Sequence, residues 1–367
     1  MEKFSSPGRI ELCGNHTGHG KAIAAAIDLA VVAETQKTGD NFVRIESNTF
    51  GKFSVDLNGL IPSKNGFNTF ETLVRGVAKG LKDRKFNLGG FTAKVTSSVP
   101  DGAGIGSSAA FELLIAQIFN VYYNGGKADR NTLAAAAQYA ENVLFRKPCG
   151  LLDQIAIAYG GVTCIDFFDP YKPAVEILQL NLRDYSIIIT CTGSGHCDLT
   201  EHYAAVRDEM QSVARCFDKE YLADVRPQDF YANIDKLQKI IPGRAILRAA
   251  HFFNENERVE LVAKAISIGN MKGLFAAVNE SGESSYKLLQ NNYTEGDKLQ
   301  RVPLALFMSK RAISEGAVRV HGGRVSGTIL AFVRNDERER YIEIMAPVFG
   351  KENIYVTNIR KNGTSQI

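Results

Sequence analysis

The chain has 367 residues, of which 45% are hydrophobic and 23% charged, with a formal net charge of +3 at pH 7. This length and composition can bury a full core and predict two domains, while the small charge and the lack of a Lys/Arg run argue against a nucleic-acid partner. Six cysteines without a C-x-x-C pair, a start without an apolar core and a longest apolar run (22–33) interrupted by Asp28 predict a cytoplasmic protein without membrane association.

Alternating or continuous apolar runs predict strands, and apolar residues at helical spacing predict helices. The strands predicted in the first half of the chain are 7–14, 22–34, 42–46, 52–57, one that begins at Phe91, 161–167 and 174–180. The helices predicted there are 69–82, one after residue 107, 131–145 and one from residue 151 onward.

The second half of the chain opens with a predicted strand at 185–191 and then becomes richer in helices. Helices are predicted at 199–217, 244–268, 271–289, 302–315 and 337–349, and strands at 317–321, 327–333 and 354–359. The change in pattern places a domain boundary near residue 184, so the predicted domains are 1–184 and 185–367.

A glycine loop joins the strand that begins at Phe91 to the following helix. Its residues include Pro100, Gly102, Ala103, Gly104, Ile105, Gly106, Ser107 and Ser108. Glycines let the backbone approach an anion closely, and the free N–H groups at a helix start point at that anion along the helix dipole. The loop (100–110) therefore predicts a phosphate site, and a serine hydroxyl in the first turn can cap the helix or reach a metal.

The same loop also fits a plain glycine turn capped by serine, or a dinucleotide-binding fold. The dinucleotide-binding fold matches the spacing Gly104-x-Gly106-x-x-Ala109, but it requires a βαβ unit. The residues that follow predict a loop and a second helix with no second strand. A Walker-type loop is excluded because no lysine follows the last glycine.

Further polar residues cluster in four places, each with a simple structural alternative. The polar loop 15–21 after Arg9 is also typical of a plain connection. Asp153, in a predicted first helical turn, could only complement the helix dipole, and Glu141 could be a solvated helix charge. The segments 193–203 and 320–327 also fit a helix cap and a glycine hairpin. From the residues alone these alternatives stay open.

In their order along the chain, these segments resemble the motifs of the GHMP small-molecule kinases. PGRIELCGNHT resembles the strand that leads into the sugar loop (here 9–21), PDGAGIGSSAA the ATP-phosphate loop, and PCGLLDQ the segment with the catalytic aspartate. The segment 196–203 has the spacing of the one whose tyrosine touches the sugar, and HGGRVSGT resembles the third, glycine-rich motif. The likeness covers nearly the whole chain and is greatest to the galactose-phosphorylating branch of the family.

The resemblance implies an α+β fold of two lobes, the first like domain 2 of ribosomal protein S5 and the second ferredoxin-like. It implies ATP-dependent phosphorylation of the C1 hydroxyl of α-D-galactose in the cleft between them. The expected partners are therefore a small-molecule sugar, ATP and Mg²⁺, with no nucleic acid and no membrane. The expected assembly is a monomer or a weak dimer.

The resemblance also assigns roles to individual residues. Asp153 would face the C1 hydroxyl, and Arg9 beside it would stabilise the charge on the transferring group. Ser108 and Glu141 would hold Mg²⁺, and the loop from Pro100 to Ser108 would bind the ATP phosphates. The residues expected at the sugar are Arg9, Asn15, His16, Gly150, Asp153 and Tyr203.

Two segments depart from the family pattern. Asn15 and Gly18 stand where the family usually has Glu and Asp that grip sugar hydroxyls, and Arg324-Val325-Ser326 replaces residues that are usually glycine-rich. These departures leave two alternatives beside galactose phosphorylation. One is a kinase for N-acetylgalactosamine, galacturonate or another aldose, and the other is a binding or regulatory homologue with impaired catalysis.

Overall fold

The computed structural model of the protein describes residues 1–16, 18–61, 69–145, 149–169, 172–193, 200–292, 298–322 and 327–367, and of 200–203 the backbone alone. The described residues form two sheets, each packed with helices, in two lobes. In this part of the chain no helix is both long and apolar enough to cross a bilayer.

The first sheet forms the first lobe. Its strands are β1 (Glu2–Cys13), β2 (Lys21–Lys37), β3 (Phe42–Ser47), β4 (Gly51–Asp56), β5 (Phe91–Ser97), β6 (Val162–Asp166), β7 (Ala174–Leu178) and β12 (Ser365–Gln366). The order is β12-β1-β2-β5-β3-β4, and β6 pairs with β2 and with β7. All pairs are antiparallel except β3 with β5.

The long strand β2 is the centre of this sheet. Its C-terminal part pairs with β5 and its N-terminal part with β6. Residues 22–27 are buried without alternation, because β2 packs against helices of the first lobe and also against one of the second. The continuous apolar run in the sequence therefore marks the place where the two lobes meet.

Helices α1 (Phe70–Asp83), α2 (Ser107–Asn124), α3 (Arg130–Tyr139) and α4 (Leu152–Tyr159) complete the first lobe. The helix predicted at 131–145 ends at Tyr139 and continues as a π-helical turn, Ala140–Leu144. A Cβ on Gly76 of α1 would lie 2.6 Å from the Cα atom of Ala140. Glycine at this position therefore lets the π-turn pack directly against α1, which fixes the position of the neighbouring residue Glu141.

The second lobe contains a four-stranded antiparallel sheet of order β11-β8-β10-β9. Its strands are β8 (Tyr185–Cys191), β9 (Gly316–Val320), β10 (Thr328–Arg334) and β11 (Ile354–Thr357). Its helices are α5 (Thr200–Arg215), α6 (Pro227–Ala232), α7 (Ile234–Leu237), α8 (Gly243–Ser267), α9 (Met271–Ser284), α10 (Arg301–Ala312) and α11 (Arg338–Phe349). A second π-turn, Ser285–Leu289, ends α9 where the sequence predicted a helix to 289.

The last residues of the chain return to the first sheet. Ile359 bridges to Ile27 of β2, and β12 pairs with β1 at Phe4 and Ser5. Strand β1 accordingly begins at Glu2, earlier than the predicted 7–14. Its register shifts between Pro7 and Arg9, as expected at a proline, which has no N–H to donate.

Candidate active site

Arg9 and Asp153 form a bidentate ion pair between β1 and the first turn of α4. The Arg9 Nε atom donates to Asp153 Oδ1 at 2.8 Å, and Nη2 donates to Oδ2 at 2.6 Å. The Arg9 side chain is 7% exposed and that of Asp153 35%. Because the two N–H groups meet both oxygens, the carboxylate is held in one orientation while one side of it stays open to solvent.

The glycine loop is anchored to the same arginine. The backbone N–H of Arg9 donates to the Ile105 carbonyl at 2.9 Å, and its Nη1 atom donates to the Gly104 carbonyl. From the second lobe, the Thr328 hydroxyl donates to the Ala103 carbonyl at 2.7 Å. The loop therefore lies beside the Arg9–Asp153 pair and contacts both lobes.

Close packing explains why the residue directly before α2 is a glycine. Gly106 has a φ of 85°, in the left-handed region. A Cβ there would lie 3.0 Å from Ile157 Cδ1 and 3.4 Å from Arg9 Cγ. A side chain at residue 106 would therefore be strained and would push against the arginine.

At the start of α2, Ser108 contacts the acid of the π-turn. Its hydroxyl donates to Glu141 Oε1 at 2.7 Å, and the side-chain amide of Gln154 donates to Glu141 Oε2 at 3.3 Å. Glu141 is 4% exposed. Two adjacent residues of α4 therefore contact two parts of the site. Asp153 pairs with Arg9, and Gln154 hydrogen-bonds to Glu141.

Two donors of the loop bear on anion binding. The Ser107 hydroxyl is buried, and no hydrogen-bond partner lies near it in the described ranges. The Gly102 N–H donates to the side chain of Asp101 at 3.0 Å. The loop therefore offers one unsatisfied hydroxyl, and one N–H that a phosphate would have to take from Asp101.

The sugar loop predicted at 9–21 is tied to the second lobe. Asn15 is 1% exposed, and its side chain exchanges hydrogen bonds of 3.1 and 3.2 Å with the Ser285 hydroxyl. His251 Nε2 lies 3.0 Å from the Asn15 carbonyl, and Nδ1 lies 2.8 Å from the Ser284 hydroxyl. His16 follows with a positive φ of 57°. The second π-turn and α8 therefore hold the backbone that precedes His16.

A cluster of buried charged side chains contacts this loop. Glu255 of α8 accepts from the Gly14 N–H at 2.8 Å and pairs with Arg258. Burial opposes ionisation of Glu255, but His251 and the arginines 319 and 258 outweigh it and lower the pKa of Glu255. Burial also lowers the pKa of His251. The loop is thus held by an ionised carboxylate that keeps its charge inside the protein.

The side chains that support the site were not predicted from the sequence. Gln154 was visible beside Asp153 in the first helical turn, but its contact with Glu141 depends on the π-turn. Glu255 and His251 lie more than 230 positions from the loop that they hold. Glu11, two residues after Arg9, had a signal of its own, because a charged residue lies between the apolar residues Ile10 and Leu12 of a predicted strand.

The remaining predictions concern Pro100, Gly150, Tyr203 and the segment Arg324-Val325-Ser326. Pro100 is half-buried at the start of the loop, and Gly150 is exposed just before α4. The Tyr203 side chain and the segment 194–199 lie outside the described part of the chain, as does Arg324-Val325-Ser326. His321 and Gly327 on either side of that segment are buried.

The sequence is similar to known kinases along most of its length. The profile of the GHMP kinases N terminal domain matches residues 72–161. The chain is 29% identical to a galactokinase of Clostridium tetani, over 77% of this chain and 72% of that protein. It is 28% identical to a galactokinase of Lactococcus lactis subsp. cremoris, over 99% of this chain and 92% of that one.

Solved structures share the fold over nearly the full length of the chain. A Lactococcus lactis galactokinase complexed with galactose superposes with a TM-score of 0.85 at 24% identity, covering 100% of this chain and 95% of that chain. A mevalonate kinase of Methanococcus jannaschii superposes with a TM-score of 0.67 at 16% identity, covering 97% and 98%. The two-lobed α+β fold expected from the sequence is therefore confirmed.

Proposed function

We propose that this chain, which has the GHMP kinase fold and carries that family's N-terminal domain, is a galactokinase. It transfers the γ-phosphoryl group of ATP to the C1 hydroxyl of α-D-galactose and yields galactose 1-phosphate and ADP. The support from relatives is the galactokinases that match 77% and 99% of the chain. The single observation that carries the proposal is the bidentate contact of Arg9 with Asp153 beside the glycine loop.

Asp153 orients the accepting hydroxyl in this reaction. The C1 oxygen attacks the γ-phosphorus, the bond from that phosphorus to the β,γ-bridging oxygen breaks, and the hydroxyl proton passes to the Asp153 carboxylate. In a loose transition state little proton transfer is needed early, so orientation contributes most. Arg9, which fixes the carboxylate, also offers positive charge to the transferring group.

The glycine loop binds the ATP phosphates through the N–H groups of 102–108. The unsatisfied Ser107 hydroxyl is a further donor that an anion would satisfy. Three glycines of the loop have positive φ, namely Gly102, Gly104 and Gly106. A Cβ on Gly102 would meet no atom within 4 Å, so the backbone there is open to close approach by a phosphate.

Ser108 and Glu141 would hold Mg²⁺. Their hydroxyl and carboxylate oxygens are the hard ligands that Mg²⁺ prefers, and they already lie 2.7 Å apart. The described residues contain no cluster of three His, Cys, Asp or Glu side chains suited to a metal. This fits an ion held by one carboxylate together with substrate phosphates. Bound Mg²⁺ would neutralise charge on the phosphates during transfer.

The sugar lies in the cleft between the proposed domains, 1–184 and 185–367. Its proposed contacts are Arg9, Asn15, His16, Gly150, Asp153 and Tyr203. Asn15 takes the place of the acid usual in the family, so an amide meets the sugar hydroxyl there. The protein is proposed to act as a monomer or weak dimer.

The test is ATP consumption by the purified protein with galactose, N-acetylgalactosamine, galacturonate and other aldoses. Galactose should give the highest kcat/KM, and galactose 1-phosphate should be the product. Highest activity with another sugar of the panel would transfer the proposal to that substrate. Thermal stabilisation by Mg-ATP without consumption on any sugar would favour a regulatory homologue.

A further inference from the structure

Glu11 is a buried carboxylate beside the reacting pair that the proposed reaction leaves unused. Arg9 and Glu11 pair in regular register with Ala26 and Ala24 of β2. Residues two apart on a regular strand share a face, so the Glu11 side chain lies on the face of β1 that carries the Arg9 guanidinium. Glu11 is 4% exposed.

Charged and titratable groups of four elements face this carboxylate. They are Arg319 of β9, Arg9 and Cys13 of β1, Asp153 of α4 and Glu255 of α8. The two arginines favour the ionised form of Glu11, and the two acids disfavour it. Arg9 therefore interacts electrostatically with two carboxylates. It is hydrogen-bonded to Asp153 but not to Glu11.

The surroundings of Glu11 disfavour its ionised form. Its Oε1 atom is buried and accepts no hydrogen bond from the described residues, and Arg319 Nη2, also buried, donates none to them. Burial is the largest effect, outweighs the arginines and raises the pKa of Glu11 to about 7. Near neutral pH the neutral and ionised forms are both populated.

We propose that Glu11 is a positioning residue that acts through Arg9, and that its neutral form is the one competent for phosphoryl transfer. With Glu11 neutral, Arg9 and Asp153 together carry no net charge, and the guanidinium is available to Asp153 and to the loop. Ionised Glu11 adds a second negative charge behind Arg9. That charge attracts the Arg9 guanidinium in competition with Asp153, and it repels the phosphates that approach the loop.

The inference rests on the proposed function and predicts how activity depends on pH. The kcat/KM for ATP reports ionisations of the free enzyme. From a pKa of about 7, wild-type kcat/KM should fall by about 30-fold between its plateau and pH 8.5. Glu11→Gln keeps the shape of the neutral acid and cannot ionise, so its kcat/KM should change by less than about twofold over that range.

The comparison separates positioning from a purely structural role. A structural defect would lower the activity of Glu11→Gln by the same factor at every pH and leave the high-pH fall in place. Thermal unfolding at each pH checks that both proteins stay folded. Coincident profiles of the two proteins, or a wild-type profile flat above neutral pH, would overturn the inference. Wild-type protein inactive on all sugars at all pH values would instead defeat the proposed function.

Proton uptake provides a second measurement that needs no variant. Binding of a non-hydrolysable ATP analogue with Mg²⁺ is measured by calorimetry in two buffers of different ionisation enthalpy. Because phosphates favour neutral Glu11, wild-type protein should take up a substantial fraction of a proton at pH 7.5 and much less at pH 5.5. Equal uptake at the two pH values, after correction for the nucleotide, would contradict the inference.

Discussion

The Glu255 carboxylate, on helix α8 of the second lobe, accepts a hydrogen bond of 2.8 Å from the backbone N–H of Gly14, in the first lobe. Gly14 directly precedes Asn15 of the proposed sugar loop. The same carboxylate is paired with Arg258 and bonded by the Ser281 hydroxyl. The loop that is proposed to hold the sugar is therefore fixed by a buried charge of the opposite lobe.

Replacement of Glu255 should destabilise the protein strongly. Glu255→Ala removes the close carboxylate partner of the buried Arg258 and the hydrogen bond that the Gly14 N–H donates to Glu255, which should cost about 3–5 kcal/mol of unfolding free energy. Denaturant unfolding measures the change. The exposed Glu257 of the same helix is the matched control, and Glu257→Ala should stay within about 0.5 kcal/mol. A loss below about 1 kcal/mol for Glu255→Ala would show that the cluster does not hold the loop.

The roles of Asn15 and Ser285 can be separated by sugar affinity. If Asn15 contacts the sugar, Asn15→Ala should raise the KM for galactose by about threefold to tenfold, the effect of one neutral hydrogen bond. Ser285→Ala removes only the group that holds Asn15 and should raise that KM less. Steady-state kinetics at saturating ATP give both values. Equal effects of the two variants would mean that Asn15 anchors the loop without contacting the sugar.

The Ser108–Glu141 contact predicts a defect linked to Mg²⁺. Ser108→Ala removes a hydroxyl beside a carboxylate and should lower kcat/KM for ATP by about 10-fold to 100-fold, from about 1.5–3 kcal/mol per charged hydrogen bond. The Mg²⁺ concentration for half-maximal activity should rise. Ser108→Thr keeps the hydroxyl and should recover most of the loss. Unchanged Mg²⁺ dependence in Ser108→Ala would contradict the assignment.

Burial of Glu11 should appear in stability as well as in activity. Its pKa is raised from 4.5 to about 7, so the folded state binds the proton more tightly than the unfolded state. The resulting stabilisation is complete below pH 4.5 and is lost as pH rises through about 7, a change of about 3 kcal/mol. Glu11→Gln should lack this change when unfolding free energies are compared from pH 4.5 to 8. Parallel curves for the two proteins would show that Glu11 does not titrate in the fold.

Much of the fold follows from local pattern. The strand, glycine loop and helix of 91–119 and the order of later elements were predictable, because each element carries its own hydrophobic period. The π-turns at Ala140–Leu144 and Ser285–Leu289 were not, since each is a single short turn and has no repeating period of its own in the sequence. The return of Ser365–Gln366 to β1 is a pairing across the whole chain that local pattern cannot specify.

Site residues that lie in sequence motifs were predictable, and those that are brought in by tertiary packing were not. Arg9, Asp153 and Ser108 lie in recognisable segments, whereas Glu141 was assigned only through the family resemblance. The structure brings the four residues together in two pairs. Their catalytic and metal-binding roles stay predictions. The contacts of Glu255 depend on which lobe surfaces meet, which is decided by tertiary packing rather than by any local spacing.

The most direct test of the proposed mechanism is the turnover of Asp153→Ala with ATP and galactose, measured together with its affinity for ATP. If Asp153 orients the accepting hydroxyl, turnover should fall by about 10²–10⁴-fold or more. The variant keeps every residue of the glycine loop and keeps Arg9, which anchors the loop, so ATP should still bind with an affinity within about threefold of wild type. Near-normal turnover by folded Asp153→Ala protein would contradict the central claim.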